Sequence, residues 1–404
     1  MIAIRVGFLA IVLGSSDGEK SAAEWNALGI ERLEAKQYDE AIQLLQRATQ
    51  ADPAHVTIRE NLGVAYHNRG VARLEARWVG EAIADFERAL KLRDDVTTRR
   101  HLARGWMELR DFGRAEAVLI EARAKAPDEP TVHRDLGFLY YAKDDLPRAI
   151  ECLRRRLELG DEAVVTNLLA RCERENAVSS EYVDRSSNDF TLKFLGKPED
   201  FAVADQVLAL LQDARAKVGS ELGAFPRDKT TVLLYSREDF QKATATHGWV
   251  GGLYDGKIRL PIDDFDRERE EIARTASHEY AHRVIADLAP LCPLWFNEGV
   301  AEFFEGRDPH LAVRALTEKG AKPTAFAAMP AEWVSESDVD RVRLWYAQSR
   351  SFVAFFHARY GVGALRAVIS DLGRGQTLDQ AFVRATSLDV AQLDELWRSE
   401  ILHR

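Results

Sequence analysis

Apolar residues recur at helical spacing through residues 22–156, and small residues return at fixed places in the same stretch. The pattern predicts four pairs of antiparallel helices, each pair burying its apolar stripe against the neighbouring pairs. Successive alanines at one small-residue position are spaced 41, 33 and 34 residues apart: Ala41, Ala82, Ala115 and Ala149. The seven extra residues of the second repeat make two helical turns. Its first helix can therefore lengthen without rotating its apolar face, with Gly63 and Gly70 both candidates for the small position.

The pattern changes after residue 179, where Ser186-Ser187-Asn188 interrupts the helical period and marks a domain boundary. Alternating or β-rich runs then predict three strands and an intervening helix. The strands fall at residues 189–195, 230–235 and 257–261, and the helix at 201–219. The third strand ends at Pro261, which suits the edge of a sheet.

The rest of the chain reads as helical. A run of good helix formers covers residues 267–277, and apolar-periodic helices are predicted at residues 342–359 and about 390–402. Thr377 and Gln380 have the spacing of a capping box before another helix. The sequence therefore predicts a mainly α protein with a small sheet in its second half.

Composition narrows the class of protein. A chain of 404 residues has room for two or three domains, and 46% hydrophobic residues suit ordinary globular cores. A net charge of −10 leaves no electrostatic footprint for nucleic acid. Three cysteines are too few for a disulfide framework, and Cys292 is expected to be a small buried hydrophobe.

The amino-terminal residues have the pattern of a targeting segment. Residues 1–14 are apolar apart from Arg5, and small residues follow, so residues 1–20 are interpreted as a short signal peptide with export to the periplasm or beyond. The alternative is a buried first segment of a cytoplasmic protein. The stretch is too short for a transmembrane span, and no other span is predicted.

The first candidate metal-binding and catalytic residues lie in the run His278-Glu279-Tyr280-Ala281-His282. On a helix, residues four apart share one face, so His278 and His282 can direct two imidazoles at one ion, with Glu279 beside them to hold a water. Fifteen residues separate His282 from Glu298, the candidate third ligand. Glu302 lies one helical turn later, where it could accept a hydrogen bond from a ligand imidazole.

The repeats resemble tetratricopeptide repeats, with signature residues in the first repeat at Trp25, Leu28, Gly29, Ala41, Leu45, Ala48 and Pro53. The resemblance implies an α-solenoid over residues 22–178, with a capping helix at 161–176. Its groove would hold a peptide or a protein partner. A spacer or brace for the second half is the alternative.

The second half resembles the gluzincin metallopeptidases, and more closely the peptidase-MA-like proteins, in its H-E-x-x-H motif and its W-F-N-E-G-V-A-E-F run at residues 295–303. The resemblance implies an α+β zincin-like domain over residues 185–404, with an upper part at 185–289 and a lower helical part at 290–404. It implies one zinc ion per chain. Ile285 and Leu288 replace the Gly and third His of the metzincin variant.

The same resemblance implies roles. Glu279 would be the general base, and Tyr346, in a Y-x-Q-S run like that of peptidase-MA-like proteins, would stabilise the oxyanion, with His310 and His357 as rivals. The zincin strand nearest the metal pairs with substrate, which here suggests residues 256–261. Tyr254 stands where gluzincin aminopeptidases keep a glutamate, which favours endopeptidase action.

Three hypotheses follow from the sequence. The first is a zinc metallopeptidase acting on a peptide or protein substrate that the repeats recruit. The second is a non-catalytic interaction protein in which zinc only braces a binding module. The third is a zinc hydrolase of a non-peptide substrate, because the zinc–water chemistry is shared.

Overall fold

The computed structural model describes residues 20–245, 251–329 and 339–402. The chain divides into two compact units, Met1–Glu173 and Arg174–Arg404. Both are dominated by helices, and the second also contains a small sheet, so the predicted mainly α architecture is confirmed. The predicted signal peptide falls almost wholly on residues 1–19, outside the described part of the chain.

The first unit is built from consecutive helix pairs. The helices are α1 (Ala22–Glu34), α2 (Tyr38–Ala51), α3 (Val56–Glu75), α4 (Val79–Leu92), α5 (Val96–Glu108), α6 (Phe112–Lys125), α7 (Pro130–Ala142) and α8 (Leu146–Glu158). A further helix, α9 (Ala163–Ser179), begins in this unit and ends in the second. The predicted lengthening of the second repeat is confirmed, because α3 has 20 residues whereas α1, α5 and α7 have 13 each.

Small residues let the two helices of a pair approach closely. A Cβ added to Gly29 would lie 2.6 Å from Cγ of Leu45, and one added to Gly70 would lie 2.7 Å from Cε1 of Phe86. Leu45 follows Gly29 by 16 residues, and Phe86 follows Gly70 by 16 residues. Gly70, rather than Gly63, therefore takes the small-residue place of the second repeat. Any larger side chain there would force the helices apart.

The second unit contains five strands and eight helices among the described residues. The strands are β1 (Val183–Ser186), β2 (Phe190–Phe194), β3 (Thr230–Tyr235), β4 (Leu253–Tyr254) and β5 (Ile258–Pro261). The helices are α10 (Pro198–Leu222), α11 (Arg237–Thr244), α12 (Phe265–Leu288), α13 (Leu294–Phe304), α14 (Leu311–Glu318), α15 (Val339–Gly373), α16 (Leu378–Thr386) and α17 (Val390–Trp397). A 3-10 turn occupies Phe326–Ala328, and α17 runs on into a π-helical turn, Arg398–Leu402.

The sheet corrects one expectation. Its order is β1-β2-β3-β5-β4, with β2, β3 and β5 parallel and the two outer strands antiparallel to their neighbours. The predicted edge at residues 256–261 is therefore wrong: β5 is internal, and the unpredicted β4 forms that edge. Pro261 is tolerated because it ends the strand. The next residue, Ile262, donates a hydrogen bond from its amide to the backbone oxygen of Tyr235 at 2.7 Å.

The carboxyl-terminal helices form most of the core around the motif helix. Aromatic side chains of α13, α15, α16 and α17 pack on one another, including Phe296, Phe352, Phe382 and Trp397. The predicted capping box at Thr377 is confirmed. Gly361 interrupts α15 with φ +78°, near the predicted end of the first of its two helices.

One described helix, Arg341–Gly373, is long and apolar enough to be compared with a membrane span. Of the most apolar stretch of this helix, 44% is buried inside the protein. The break at Gly361 lies within the helix. The core helix of a globular protein can have the same length and composition, so this helix is weak evidence of a membrane span.

Candidate metal centre

The motif helix α12 carries three of the predicted residues. Asp264 caps its start by accepting a hydrogen bond from the amide of Arg267 at 3.2 Å. His278 and His282, four residues apart, lie on one face with ring centroids 4.8 Å apart. Next to His282, the buried Arg283 donates to Oδ1 of Asp228 at 2.8 Å and also contacts Asp287, which anchors this end of the helix.

Helix α13 brings Glu298 to the same place. A Cβ added to Gly299, the next residue, would lie 2.7 Å from Ser349 O on α15. Only glycine allows the two backbones to come so close, and this contact holds α13 against α15. The chain therefore converges on one point from two helices that are separate in sequence.

The three candidate ligands form a small triangle. Nε2 of His282 lies 3.1 Å from Nε2 of His278, and Oε2 of Glu298 lies 3.6 Å and 3.5 Å from the Nε2 atoms of His278 and His282. Zinc bonds of about 2.0–2.1 Å in tetrahedral geometry place two ligand atoms about 3.3–3.4 Å apart. The three side chains are only 11–13% exposed. The donor set and its spacing therefore fit zinc.

The other nitrogen of each imidazole faces an acceptor. Nδ1 of His282 lies 2.9 Å from Oδ1 of Asn297, so Nδ1 donates its proton there and Nε2 keeps its lone pair. Oε1 of Glu305 lies 2.9 Å from Nδ1 of His278, although this approach is not aligned well enough for a formed hydrogen bond. Both rings thus present Nε2 to the centre of the triangle.

Glu302 has a different partner from the predicted one. It accepts a hydrogen bond from Nη1 of Arg350 at 3.0 Å, whereas the carboxylate nearest to Nδ1 of His278 is that of Glu305. Neither Glu305 nor Asn297 had a role in the sequence interpretation. Asn297 could have been found from its place beside Glu298, but Glu305 lies past the end of the motif run and gave no signal.

Glu279 is buried beside the edge strand. Its side chain is 4% exposed, and a Cβ added to Gly252 would lie 2.7 Å from its Oε1. Burial, together with Glu298 and Glu305, raises the pKa of Glu279, against the lowering effect of the two imidazoles. Gly252 directly precedes β4, so the carboxylate lies next to the outermost strand of the sheet.

The site attracts positive charge. Burial opposes protonation of His278, but Glu298 and Glu305 outweigh it and raise the pKa of this imidazole well above its ordinary value. The pKa of His282 is raised in the same way, against burial, chiefly by Glu298. Despite its burial, the two imidazoles lower the pKa of Glu298 to about 2. The electrostatics of the site therefore favour a cation at its centre.

The three oxyanion candidates lie in different surroundings. Burial, and after it the carboxylates of Glu298, Glu302 and Glu279, raise the pKa of Tyr346, so its hydroxyl is protonated and within electrostatic reach of the site. His310 instead faces Oγ of Ser351, with Nδ1 at 2.9 Å.

His357 is also engaged elsewhere, since its Nε2 lies 2.7 Å from Oε1 of Glu221 and its ring packs on Phe303. Cys292 packs against the core of the second unit, where burial raises the pKa of its thiol to about 12. Of the three oxyanion candidates, Tyr346 is the one whose pKa is affected by the carboxylates of the site.

Comparison with known families finds different families in the first and second parts of the chain. Residues 210–403 match the Peptidase MA superfamily, residues 29–70 match a TPR repeat model, and residues 107–172 match a tetratricopeptide repeat model. The chain thus carries tetratricopeptide repeats in its first unit and a Peptidase MA superfamily domain in its second. The resemblance inferred from the sequence is confirmed, and it points to a possible peptidase with a protein-interaction module.

Solved structures similar to this chain include MamA RS-1 as a double mutant, with 19% identity over 38% of this chain and 83% of that chain and a TM-score of 0.32. MamA AMB-1 has 22% identity over 39% and 82%, with a TM-score of 0.31. A thermophilic TPR protein of Thermus thermophilus has 18% identity over 38% and 81%, with a TM-score of 0.26. Likenesses at this level carry no functional argument. No curated protein matches the chain.

Proposed function

We propose that this protein is a zinc-dependent metallopeptidase whose repeats recruit a protein substrate or partner. The observation that carries the proposal is the triangle of His278, His282 and Glu298, whose three donor atoms lie 3.1–3.6 Å apart beside the buried carboxylate of Glu279. A site that served only to brace the fold would have no use for such a carboxylate.

His278, His282 and Glu298 would hold the zinc through Nε2, Nε2 and Oε2. Zinc bound there would acidify a water and polarise the scissile carbonyl. Two neutral imidazoles and one carboxylate leave a position for a fourth ligand, as in catalytic rather than structural sites. Asn297 fixes His282 in the tautomer that this binding requires.

Glu279 would move the proton. Its carboxylate accepts a proton from the attacking water and then delivers it to the nitrogen of the departing amine. Tyr346 would donate a hydrogen bond to the oxyanion that develops on the carbonyl, because burial and the carboxylates of the site keep its hydroxyl protonated.

The outer position of β4 in the sheet supports a peptide as the substrate. An extended chain can add to a sheet edge through backbone hydrogen bonds, and Gly252, beside this edge, brings the backbone into direct contact with Glu279. A scissile bond held there would lie beside the proposed base. Because this mode of binding relies on the backbone, it suits an endopeptidase.

The repeats would supply recruitment. Tetratricopeptide repeats form solenoids whose extended surface binds peptides or proteins, and four helix pairs exceed the three units that such stacking needs. A substrate held by the first unit would be presented to the second at a high local concentration.

The test is Glu279→Gln, with Glu270→Gln as the control. Glu270 lies on the same helix with its side chain 88% exposed. Hydrolysis of a diverse peptide library, followed by mass spectrometry, should fall about 10²–10⁴-fold or more in Glu279→Gln, because the general base is lost. Zinc content, measured by elemental analysis, should be unchanged in both variants.

Full activity of Glu279→Gln would contradict the proposed mechanism. Stoichiometric zinc in the unsubstituted protein without cleavage of any library peptide would instead favour a non-catalytic interaction protein or a hydrolase of another substrate class. Zinc-free protein would refute the metal centre itself.

A further inference from the structure

We infer that Glu305, and not Glu302, is the positioning residue for the metal ligand His278. The inference rests on the proposed zinc site. It concerns how one ligand is oriented and which carboxylate sets its tautomer, and it can be tested apart from peptide hydrolysis.

Glu302 is engaged by another element. It lies one helical turn beyond Glu298 on α13, the place from which it could reach a ligand ring. Arg350 of α15 instead donates from Nη1 to Oε2 of Glu302 at 3.0 Å, and both side chains are largely buried, with 8% and 15% exposed. A charged hydrogen bond in such surroundings holds the carboxylate firmly.

Glu305 reaches the ring from the turn that ends α13. Its Oε1 lies 2.9 Å from Nδ1 of His278, and its side chain is 15% exposed. The other oxygen, Oε2, accepts a hydrogen bond from Nε of Arg307 at 2.8 Å. Arg307 therefore holds Oε2, and Oε1 is the oxygen that lies near the ring of His278.

Arg307 also ties this turn back to the motif helix. Its Nη2 contacts Oε1 of Glu271, two helical turns before His278 on α12. The chain of contacts runs from Glu271 through Arg307 and Glu305 to His278, and it begins and ends on one rigid helix. Such a closed arrangement orients a side chain better than a single contact can.

The consequence for the metal ligand is chemical. An imidazole binds zinc through Nε2 only if Nδ1 carries the proton, and a carboxylate that accepts this proton also makes the ring more basic. In the structure Nδ1 of His278 and Oε1 of Glu305 lie 2.9 Å apart without the alignment of a formed hydrogen bond. His282 has a neutral amide from Asn297 in the same role, so His278 is the ligand with the charged partner.

The experiment compares the isosteric variants Glu305→Gln and Glu302→Gln. Zinc affinity is measured on the full chain by titration with zinc alone against a chromophoric chelator. Glu305→Gln should weaken binding about 10–100-fold, the usual effect of removing a residue that orients a ligand, and Glu302→Gln less than about threefold. Arg307→Gln should fall between them, because it loosens Glu305 without removing it.

Folding is controlled by thermal unfolding of the metal-free variants, which should have midpoints close to that of the unsubstituted chain. The ¹⁵N signals of the His278 ring give a second measurement. At a pH high enough that the ring of the metal-free protein is neutral, loss of the carboxylate should raise the population of the Nε2–H tautomer. A merely structural role for Glu305 would change the midpoint and leave the tautomer alone.

Equal zinc affinity of Glu305→Gln and Glu302→Gln, or a larger loss in Glu302→Gln, overturns the role of Glu305 while the zinc site stands. The expected affinity difference without cleavage of any peptide leaves the role intact and refutes only the peptidase activity. A chain that binds no zinc refutes both.

Discussion

The two units of this protein treat buried charge in opposite ways. In the repeat unit, the fully buried carboxylate of Asp85 receives hydrogen bonds from Arg69 at 2.8 and 2.7 Å and from Arg73 at 2.7 Å. Arg88 adds a contact at 3.2 Å. Positive charge exceeds negative charge around this acid, and the cluster joins α3 to α4.

In the second unit, acids gather around two imidazoles. Glu298 faces two imidazoles, and Glu279 lies beside them with Glu302 and Glu305 close by. Glu302 has Arg350 as its partner, and Glu305 shares Arg307 with Glu271. The two remaining carboxylates are those that a divalent cation would balance.

The difference separates a structural ion cluster from a candidate ion site. Where charges are balanced by side chains, the fold gains a brace and needs no ligand. Where buried carboxylates outnumber the cationic side chains, the protein keeps an electrostatic deficit that a bound cation relieves. Three predictions test whether the two regions differ in this way.

The largest effect is expected for Asp85→Asn in the repeat unit. The substitution leaves arginines without their buried acceptor, and removal of one partner from such a cluster costs about 3–5 kcal/mol. The lower end applies here, because the arginine side chains are 14–53% exposed and gain some water. Hydrogen exchange of the amides in α3 and α4, measured by mass spectrometry, gives the change in free energy of unfolding.

The matched control is Asp39→Asn, which removes an exposed partner of the same Arg69. An exposed ion pair contributes about 0–1 kcal/mol, so this variant should be nearly neutral. A similar cost for both substitutions would mean that burial does not distinguish them. The contrast between the two units would then lose its basis.

A smaller effect is expected for Gly252→Ala beside the candidate site. Its new methyl group would lie 2.7 Å from Oε1 of Glu279 and 2.5 Å from Cγ2 of Thr275, so the carboxylate must move. Displacement of the base should lower kcat about tenfold or more, equivalent to about 1.4 kcal/mol. Zinc affinity should be unchanged, because no ligand is touched. Peptide hydrolysis and chelator competition measure the two quantities.

Gly251→Ala is the control, since its methyl group would come no closer than 3.7 Å to Thr275. Its kcat should stay within about twofold of the original value, as for a substitution that meets only ordinary contacts. Equal losses in the two variants would place the effect in the loop backbone and not at Glu279.

The third prediction concerns a pH dependence in the repeat unit. Burial, and after it the neighbouring His101, lowers the pKa of His67 to about 3. Below its ordinary pKa of about 6.5 the unfolded chain takes up a proton that the folded unit refuses. Stability is therefore complete above that pH and falls as the pH drops toward 3, by at most about 1.4 kcal/mol per pH unit.

Urea unfolding between about pH 7 and pH 5, on either side of the ordinary histidine pKa, measures this slope. His67→Asn should reduce it, because the titrating ring is gone, even though the buried contact of its Nδ1 with Thr98 at 2.9 Å is altered. His55→Gln, at an exposed position, should leave it unchanged. An unchanged slope in His67→Asn would show that the folded unit protonates His67 freely.

Local rules explain how much of the fold the sequence predicts. Helical periodicity and small-residue spacing located the helix pairs, and a seven-residue excess correctly lengthened α3. The strand β3 covers the same residues as the predicted strand, 230–235. Two short strands were missed, β1 and β4, because four exposed residues and a two-residue strand carry no apolar alternation. Two short helices, α11 and α14, were not predicted either.

The sequence by itself determined the motif spacing that lets two imidazoles share a helix face, since helix geometry depends on nearest neighbours in the chain. Tertiary structure decided which glycine of the second repeat meets Phe86, which strand forms the edge, and which carboxylate approaches His278. Each of these depends on atoms from other elements: Arg350 lies 48 residues from Glu302 in sequence and 3.0 Å from it in space. Through-space competition for partners has no signature in the order of the residues.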